Sequence, residues 1–401
     1  MLRLAIVCTH PIQYFAPVFS QLASRADLTV RVFYGWRGAT EQAMDPGFGQ
    51  KISWDIPLLE GYDYEFVENV AQDPGSHHFR GIDLPDLNQT LERWKPDAIL
   101  IYGWCYKSHL KTMRHFHGRI PVLFRGDSTL LNESSGWRRW ARRVALRWVY
   151  RYVDLALYVG TNSRKYFEAH GLRTDQLVFA PHSVDNRRFA SLRHDDHQNS
   201  MTRIDVRKQL SIPHDHVLFM FVGKLEPIKN PLLLVQAFAQ LDQPQTHLVF
   251  VGSGPLQQSL VEQLVPRVHF LGFQNQQALP DMYAAADLII LPSKSETWGL
   301  VLNEAMACGC AVMASDRVGA AVDLIEENHN GWICKVNDLA SLIDCLKAAA
   351  SKGRDGLAEM GFRSRQIIDD WTNERQVDAI AAAVAQVATI RRKRLTVDSQ
   401  S

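Results

Sequence analysis

Apolar residues in this chain gather in short unbroken runs rather than in alternation. In the first half these are Leu2–Cys8, Leu28–Tyr34, Asp97–Tyr102, Ile120–Phe124, Asp154–Val159 and Leu177–Ala180. In the second half they are Val217–Val222, His247–Val251, Val268–Leu271, Asp287–Leu291 and Ala311–Ala314. Segments long enough for a helix separate them. A strand that is apolar throughout is one covered on both faces, so the pattern predicts parallel, doubly wound α/β sheets. The polar stretch Ser191–Arg203 breaks the alternation. It suggests a Rossmann-like domain over 1–190, a linker over 191–213, a second Rossmann-like domain over 214–370, and a closing helix and tail over 371–401. Such sheets bind ligands at the carboxyl ends of their strands. That architecture alone suits a dehydrogenase, a kinase-like protein or a binding protein equally.

Composition narrows the field only a little. A length of 401 residues favours two domains. The 44 basic and 43 acidic side chains leave a formal net charge of +1, so no global field selects nucleic acid as a partner. The six cysteines are scattered, with no CxxC pair or Cys/His cluster to hold a structural metal. They fit a reducing compartment. No run reaches 18 apolar residues, and MLRLAIVCTHPIQYF lacks the charged and long apolar parts of a leader, so the expected location is cytoplasmic.

Chemistry concentrates in Leu291–Cys310, LPSKSETWGLVLNEAMACGC. A strand ends at Leu291. Glu296, Thr297 and Gly299 fall on the following loop, and Leu300–Ala307 has helical composition closed by Gly309. Glu304 is expected about two turns into that helix. Free N–H groups at the helix start suit a diphosphate. One carboxylate is placed to accept from sugar hydroxyls, the other from ribose hydroxyls. A second cluster is FVGKLEPIKNP, where Gly223, Lys224 and Lys229 follow the run Val217–Val222. Two cations on a strand-to-helix loop are what a leaving diphosphate needs, although either lysine could equally be an exposed loop charge.

The E-x7-E spacing, set in S-x-x-E-x-x-G-L-x-x-x-E-A-M-A-C-G, closely resembles glycosyltransferase family 4, the group 1 glycosyltransferases. FVGKLEPIKNP resembles that family's G-R-L…K-G motif, with Lys229 matching its lysine and Lys224 replacing its arginine, a point charge in place of a bidentate fork. Gly252 and Gly254 in VGSGPL resemble the family's glycine loop, where backbone approaches a nucleotide, and Phe273 in VHFLGFQ lies where backbone reads the base. PHSVDNRRF resembles the segment before the interdomain linker. The resemblance implies a GT-B fold: an acceptor domain, a donor domain, a cleft between them and closing helices over Phe362–Val387 that cross back to the first domain. It implies retaining transfer of a sugar from a nucleotide-sugar donor to a glycan or lipid-linked glycan, as in surface polysaccharide or lipopolysaccharide biosynthesis. No D-x-D motif ends a strand (Asp195-Asp196 lies in the linker), so neither a metal nor another cofactor is expected.

The first half departs from the family pattern. His10 occupies the first strand-to-helix loop, where many members carry Gly-Gly; it could touch phosphate or acceptor, or cap a helix. Arg125 and Asp127, in FRGDS, stand where many members have a histidine. Asp127 is a candidate contact for the transferred sugar or the acceptor hydroxyl, and otherwise a helix cap. Ser134–Tyr152 mixes six arginines with a stripe of Trp137, Trp140, Val144, Trp148 and Tyr152. It could lie on an anionic membrane, giving a peripheral location, or be a helix with a solvated arginine face. Two other functions stay open: a sugar-nucleotide-binding accessory subunit without catalysis, and another GT-B enzyme such as a nucleotide-sugar epimerase.

Overall fold

The computed structural model describes residues 1–40, 43–45, 47–133, 135–194 and 206–398. It divides into two compact units, each built on one parallel sheet. The first comprises Met1–Ala43, Pro57–His182 and Asn373–Ser401; the second comprises Met44–Ile56 and Ser183–Thr372. In chain order the strands are β1 (Leu2–Cys8), β2 (Leu28–Tyr34), β3 (Ala43–Asp45), β4 (Gln50–Ile52), β5 (Asp63–Phe66), β6 (Ala98–Tyr102), β7 (Val122–Gly126), β8 (Leu155–Tyr158) and β9 (Leu177–Phe179). There follow β10 (Val217–Val222), β11 (Thr246–Val251), β12 (Val268–Gly272), β13 (Leu288–Leu291), β14 (Ala311–Ser315) and β15 (Gly331–Cys334).

The first sheet has the order β5-β2-β1-β6-β7-β8-β9, and the second β12-β11-β10-β13-β14-β15. Every run expected from the apolar pattern is a strand, with ends within two residues. The pattern missed β5 and β15, both at sheet edges, and β3 and β4, which pair as a separate two-stranded sheet. DYEF alternates charge and aromatic, and GWIC is too brief to stand out.

The two units part at His182–Ser183, ahead of the polar stretch read as a linker. Residues 195–205 of that stretch, including Asp195-Asp196, lie outside the described part. Val206 and Ile212 are buried in the second unit, where Arg207 donates from Nη2 to Asp287 Oδ2 at 2.6 Å and from Nε to Ala285 O at 3.0 Å. The closing segment forms helices Gly353–Ile368 and Asn373–Asp398. In the second of these, Val377, Ile380, Ala381, Val384 and Val387 recur at helical spacing and join Leu4, Ile6 and Leu100 in the core of the first unit. No helix among the described residues is long and apolar enough to cross a membrane.

Helix Leu300–Ala307 ends as its sequence demands. Gly309 takes φ 73°, Cys310 N–H donates to Ala305 O at 2.9 Å, and Gly309 N–H donates to Met306 O at 2.9 Å, the paired bonds of a Schellman close. Gly361, on the helix that packs there, has its α-carbon against that turn: a Cβ would lie 2.0 Å from Gly309 O. Gly361→Ala is expected to lower stability by about 2–3 kcal/mol through this backbone collision, measured by urea unfolding.

His109 is fully buried on helix Lys107–Phe116. Its Nδ1–H donates to Gly103 O at 2.9 Å, while Nε2 has no partner among the described residues. Burial pushes its pKa down to about 4. Between pH 6.5 and 4 the unfolded chain therefore binds a proton that the folded chain refuses. The stabilisation is present above pH 6.5 and drains away as pH falls, by about 2 kcal/mol at pH 5. Unfolding free energies at pH 7 and 5 should drop more steeply for the wild type than for His109→Gln; equal slopes would clear His109 of the effect.

Candidate functional site

In the second sheet β10 and β13 are neighbours, although β11 and β12 lie between them in sequence. The chain adds strands outward on one side and then returns to build the other. At such a reversal the connecting loops leave in opposite directions and open a crevice at the strands' carboxyl ends. The loop after β10 carries Gly223, Lys224 and Lys229; the loop after β13 carries Ser293 and Glu296.

These two loops are joined. Lys229 Nζ donates to Glu296 Oε1, Ser293 Oγ donates to the same oxygen at 3.2 Å, and Lys294 N–H donates to Ile228 O at 2.7 Å. The backbone of Glu296 is fixed as well: its N–H donates to Arg317 O at 3.1 Å, and its carbonyl accepts from Gly319 N–H at 3.2 Å. The side chains of Lys229 and Glu296 are 22% and 15% exposed, mostly covered yet reachable.

Gly299 caps helix Leu300–Ala307 at φ 104°, where a Cβ would also lie 2.9 Å from Val318 Cγ1. Beyond it Leu302 N–H donates to Gly299 O at 2.9 Å, while the N–H groups of Leu300 and Val301 have no intrahelical acceptor. Thr297 is exposed beside the buried Trp298 and Leu300 is half-buried. Glu304 is the fifth residue of this helix, so it lies one turn in rather than two. It is 1% exposed, and its Oε2 accepts from Tyr283 Oη–H at 2.5 Å. The structure thus brings Lys229 to Glu296 and gives Glu304 a buried partner.

The glycine loop has a nearer cause than a ligand. Gly223 N–H donates to Val251 O and Leu225 N–H to Ser253 O, each at 2.9 Å. A Cβ on Gly252 would lie 1.9 Å from Gly223 O, and one on Gly254 2.7 Å from Leu225 O. Gly252 and Gly254 therefore let the loops after β10 and β11 close on each other. Phe273 follows β12 and meets Phe48 with ring centroids 5.0 Å apart; Lys224 Nζ sits 4.9 Å from the Phe48 centroid.

The first sheet reverses between β1 and β6. There a cavity of about 270 Å³ is lined by the ends of β1, β6 and β7, among them Thr9, Trp104, Tyr106, Asp127 and His182. Arg125 belongs to β7 rather than to a loop. It is buried, and its guanidinium donates to Ala180 O at 2.8 Å and Pro181 O at 3.0 Å, so its donors serve the backbone. Burial and the neighbouring Arg125 charge push His182 down to about 4. His10 is wedged beside Trp36, 5.2 Å between rings, with Nδ1 2.8 Å from Thr9 Oγ1; burial lowers it to about 4 as well. Both rings are neutral at pH 7. The sequence reading missed His182, taking PHS only as a boundary, and passed over Trp104 and Tyr106. Their position directly after an apolar run was the available signal.

Asp73, His77 and His78 gather their ligand atoms within 4.8 Å of one another. His78 Nδ1, however, accepts from Arg80 N–H at 3.2 Å, which leaves the proton on Nε2, facing Asp73 O at 2.9 Å. That tautomer turns a hydrogen toward the place a cation would occupy, and the group is a loop clasp.

Comparison with known proteins fits this arrangement. Residues 202–361 match the family model "Glycosyl transferases group 1", and residues 65–182 match a "Glycosyl transferase 4-like domain". The D-inositol 3-phosphate glycosyltransferase of Nocardia farcinica is 32% identical over 342 residues, covering 77% of this chain and 72% of that protein. Two others of the same name, from Xylanimonas cellulosilytica and Geodermatophilus obscurus, are matched over only 54% and 51% of their lengths. Among solved structures, Anabaena HepE in complex with UDP and glucose superposes with a TM-score of 0.71 at 20% identity, covering 96% of this chain and all of that one. With identity sustained through both halves and a family model that runs through both glutamates, the chain belongs to the group 1 glycosyltransferases of family 4 and has their GT-B fold.

Proposed function

We propose that this glycosyltransferase moves a sugar from a nucleotide-sugar donor to a glycan or lipid-linked glycan, with retention of configuration and without a metal ion, in cell-surface polysaccharide or lipopolysaccharide biosynthesis. The observation that carries the reading is the Lys229–Glu296 pair at the β10–β13 reversal, beside the open start of helix Leu300–Ala307. Lys224, Lys229 and the helix N–H groups would neutralise the leaving diphosphate. Both bonds to the Glu296 carboxylate fall on Oε1, which would leave Oε2 for the sugar hydroxyls. The ribose role of Glu304 rests on the family resemblance and would use a carboxylate that Tyr283 already orients. In the front-face step the bond from the anomeric carbon to the diphosphate oxygen breaks, the acceptor oxygen bonds to that carbon on the same face, and its proton passes to a donor phosphate oxygen. No side-chain base is then needed. The UDP and glucose held by HepE make UDP the first nucleotide to try.

The cavity of the first unit suits the acceptor. Its aromatic walls can stack on a ring, Asp127 can accept a hydroxyl proton's hydrogen bond, and its histidine, His182, is neutral, so it favours a polyhydroxylated ring over an anion. Helix Trp137–Tyr150 supports a peripheral place on the inner membrane face. Trp137 and Trp140 are 75% and 70% exposed, Val144 and Trp148 are exposed beside them, and Leu146, Val149 and Tyr150 anchor the other side.

Adding UDP, GDP or ADP should raise the melting temperature for one nucleotide above the rest, in proportion to the logarithm of its affinity. Glu296→Ala or Lys229→Ala should each cut transfer by about 100-fold or more while the fold survives, read as labelled sugar moved to acceptor; near-normal activity in both would remove these residues from the site. Phosphatidylglycerol vesicles should co-sediment with the protein and phosphatidylcholine vesicles should not. Changing Arg138, Arg139 and Arg142 to Glu should abolish that difference, each basic side chain contributing about 1 kcal/mol. Indifference to both lipid and mutation would refute the membrane contact.

A further inference from the structure

One segment of the second unit comes from far away in sequence. Met44–Ile56 interrupts the first unit's chain and packs with the second. It lies across the loops that follow β10, β11 and β12. Ser253 Oγ donates to Phe48 O at 3.0 Å, Asn275 Nδ2 donates to Ser53 O at 2.8 Å, and Gln277 donates from N to Asp55 Oδ1 at 3.1 Å and from Nε2 to Asp55 O at 2.6 Å. Its aromatic side chains meet Phe273, Phe48 edge-on at 5.0 Å and Trp54 at 6.4 Å.

The strap also grips Lys224. A Cβ on Gly47 would lie 2.5 Å from Lys224 Cδ and 2.8 Å from its Nζ, so the glycine backbone lies along the lysine stem. The ammonium rests 4.9 Å from the Phe48 centroid. A lysine stem has four rotatable bonds and a well-hydrated head, and a free one would spend most of its time away from any single ligand. An aromatic face holds the head by its quadrupole while leaving the N–H groups pointed outward. At the position where the family carries an arginine, this chain has a point charge, and the strap supplies the fixed direction that a guanidinium fork would have had.

We propose that Phe48 is a positioning residue for Lys224, and that the Gly47–Asp55 strap makes this ammonium part of the donor diphosphate site. The inference rests on the proposed donor site. Its consequence is specific: Phe48 acts on nucleotide binding only through Lys224.

The test is calorimetric titration of UDP and of GDP into the full chain, wild type and variants, with melting temperatures recorded alongside. Phe48→Leu keeps apolar volume but removes the π face; it should weaken nucleoside-diphosphate binding about tenfold, within the range such contacts reach when partly desolvated. Phe48→Tyr, which restores the face, should stay within about twofold of wild type. In a Lys224→Met background, Phe48→Leu should change nothing further. Wild-type affinity in Phe48→Leu, tighter binding in it, or an undiminished effect in the Lys224→Met background would each overturn the inference while leaving the donor site intact. Failure of the wild-type protein to bind either nucleotide would instead sink the donor site itself, and the strap's role with it.

Discussion

Lys229 and Glu296 stand 67 residues apart in the chain and share a hydrogen bond because β10 and β13 are adjacent in the sheet. Right-handed crossovers leave few ways to build a parallel sheet, and one of them is to grow outward from a central strand and then return past it. The return forces the loops on the two central strands to diverge. A lysine on one and a glutamate on the other then meet, and Lys294 N–H donates to Ile228 O to join the same two loops. Nothing else in the second unit constrains its chemistry so strongly, since the helix start, the cap at Gly299 and the contact to Val318 all hang from the same two loops.

Much of this was legible because the residues responsible are local. A strand buried on both faces must be apolar throughout, so the central strands announced themselves, and Gly309 marked a helix end that its left-handed φ requires. What escaped has equally physical causes. Strand β5 alternates charged and aromatic residues and β15 spans only four, so neither makes a continuous apolar run. Gly252 and Gly254 clear the backbone of the loop after β10, a demand that looks the same in sequence as clearance for a nucleotide. Glu304 could be placed on its helix but not given its partner, because Tyr283 arrives from another helix. The strap was invisible for the same reason in stronger form: nothing in GFGQKISW indicates that it packs with residues 200 positions later.

The two units differ in the electrostatics they offer. Around the β10–β13 reversal, cations are kept reachable: Lys229 is only partly covered, and Lys224 is held on an aromatic face. Around the β1–β6 reversal, positive charge is withdrawn. Arg125 turns its donors to two carbonyls, and burial keeps His10 and His182 neutral. An anionic ligand would find little to replace its hydration in the first cavity and much in the second site. The same fold element, a reversal in strand order, has been given opposite polarity in the two halves.

That opposition bears on the proposed transfer at neutral pH without a dedicated base. A general base near the acceptor would need a proton affinity tuned close to the working pH. Histidines pushed down to about 4 are poor at that task, because a group so reluctant to be protonated gains little by taking a proton in the transition state. In the proposed step a donor phosphate oxygen, held by the lysines of the second unit, has no such handicap once the donor's bond to the sugar begins to break. On the proposed reading, the neutral histidines of the first unit and the positive charge of the second site are two halves of one requirement: the proton must leave with the diphosphate, and neither His10 nor His182 should compete for it.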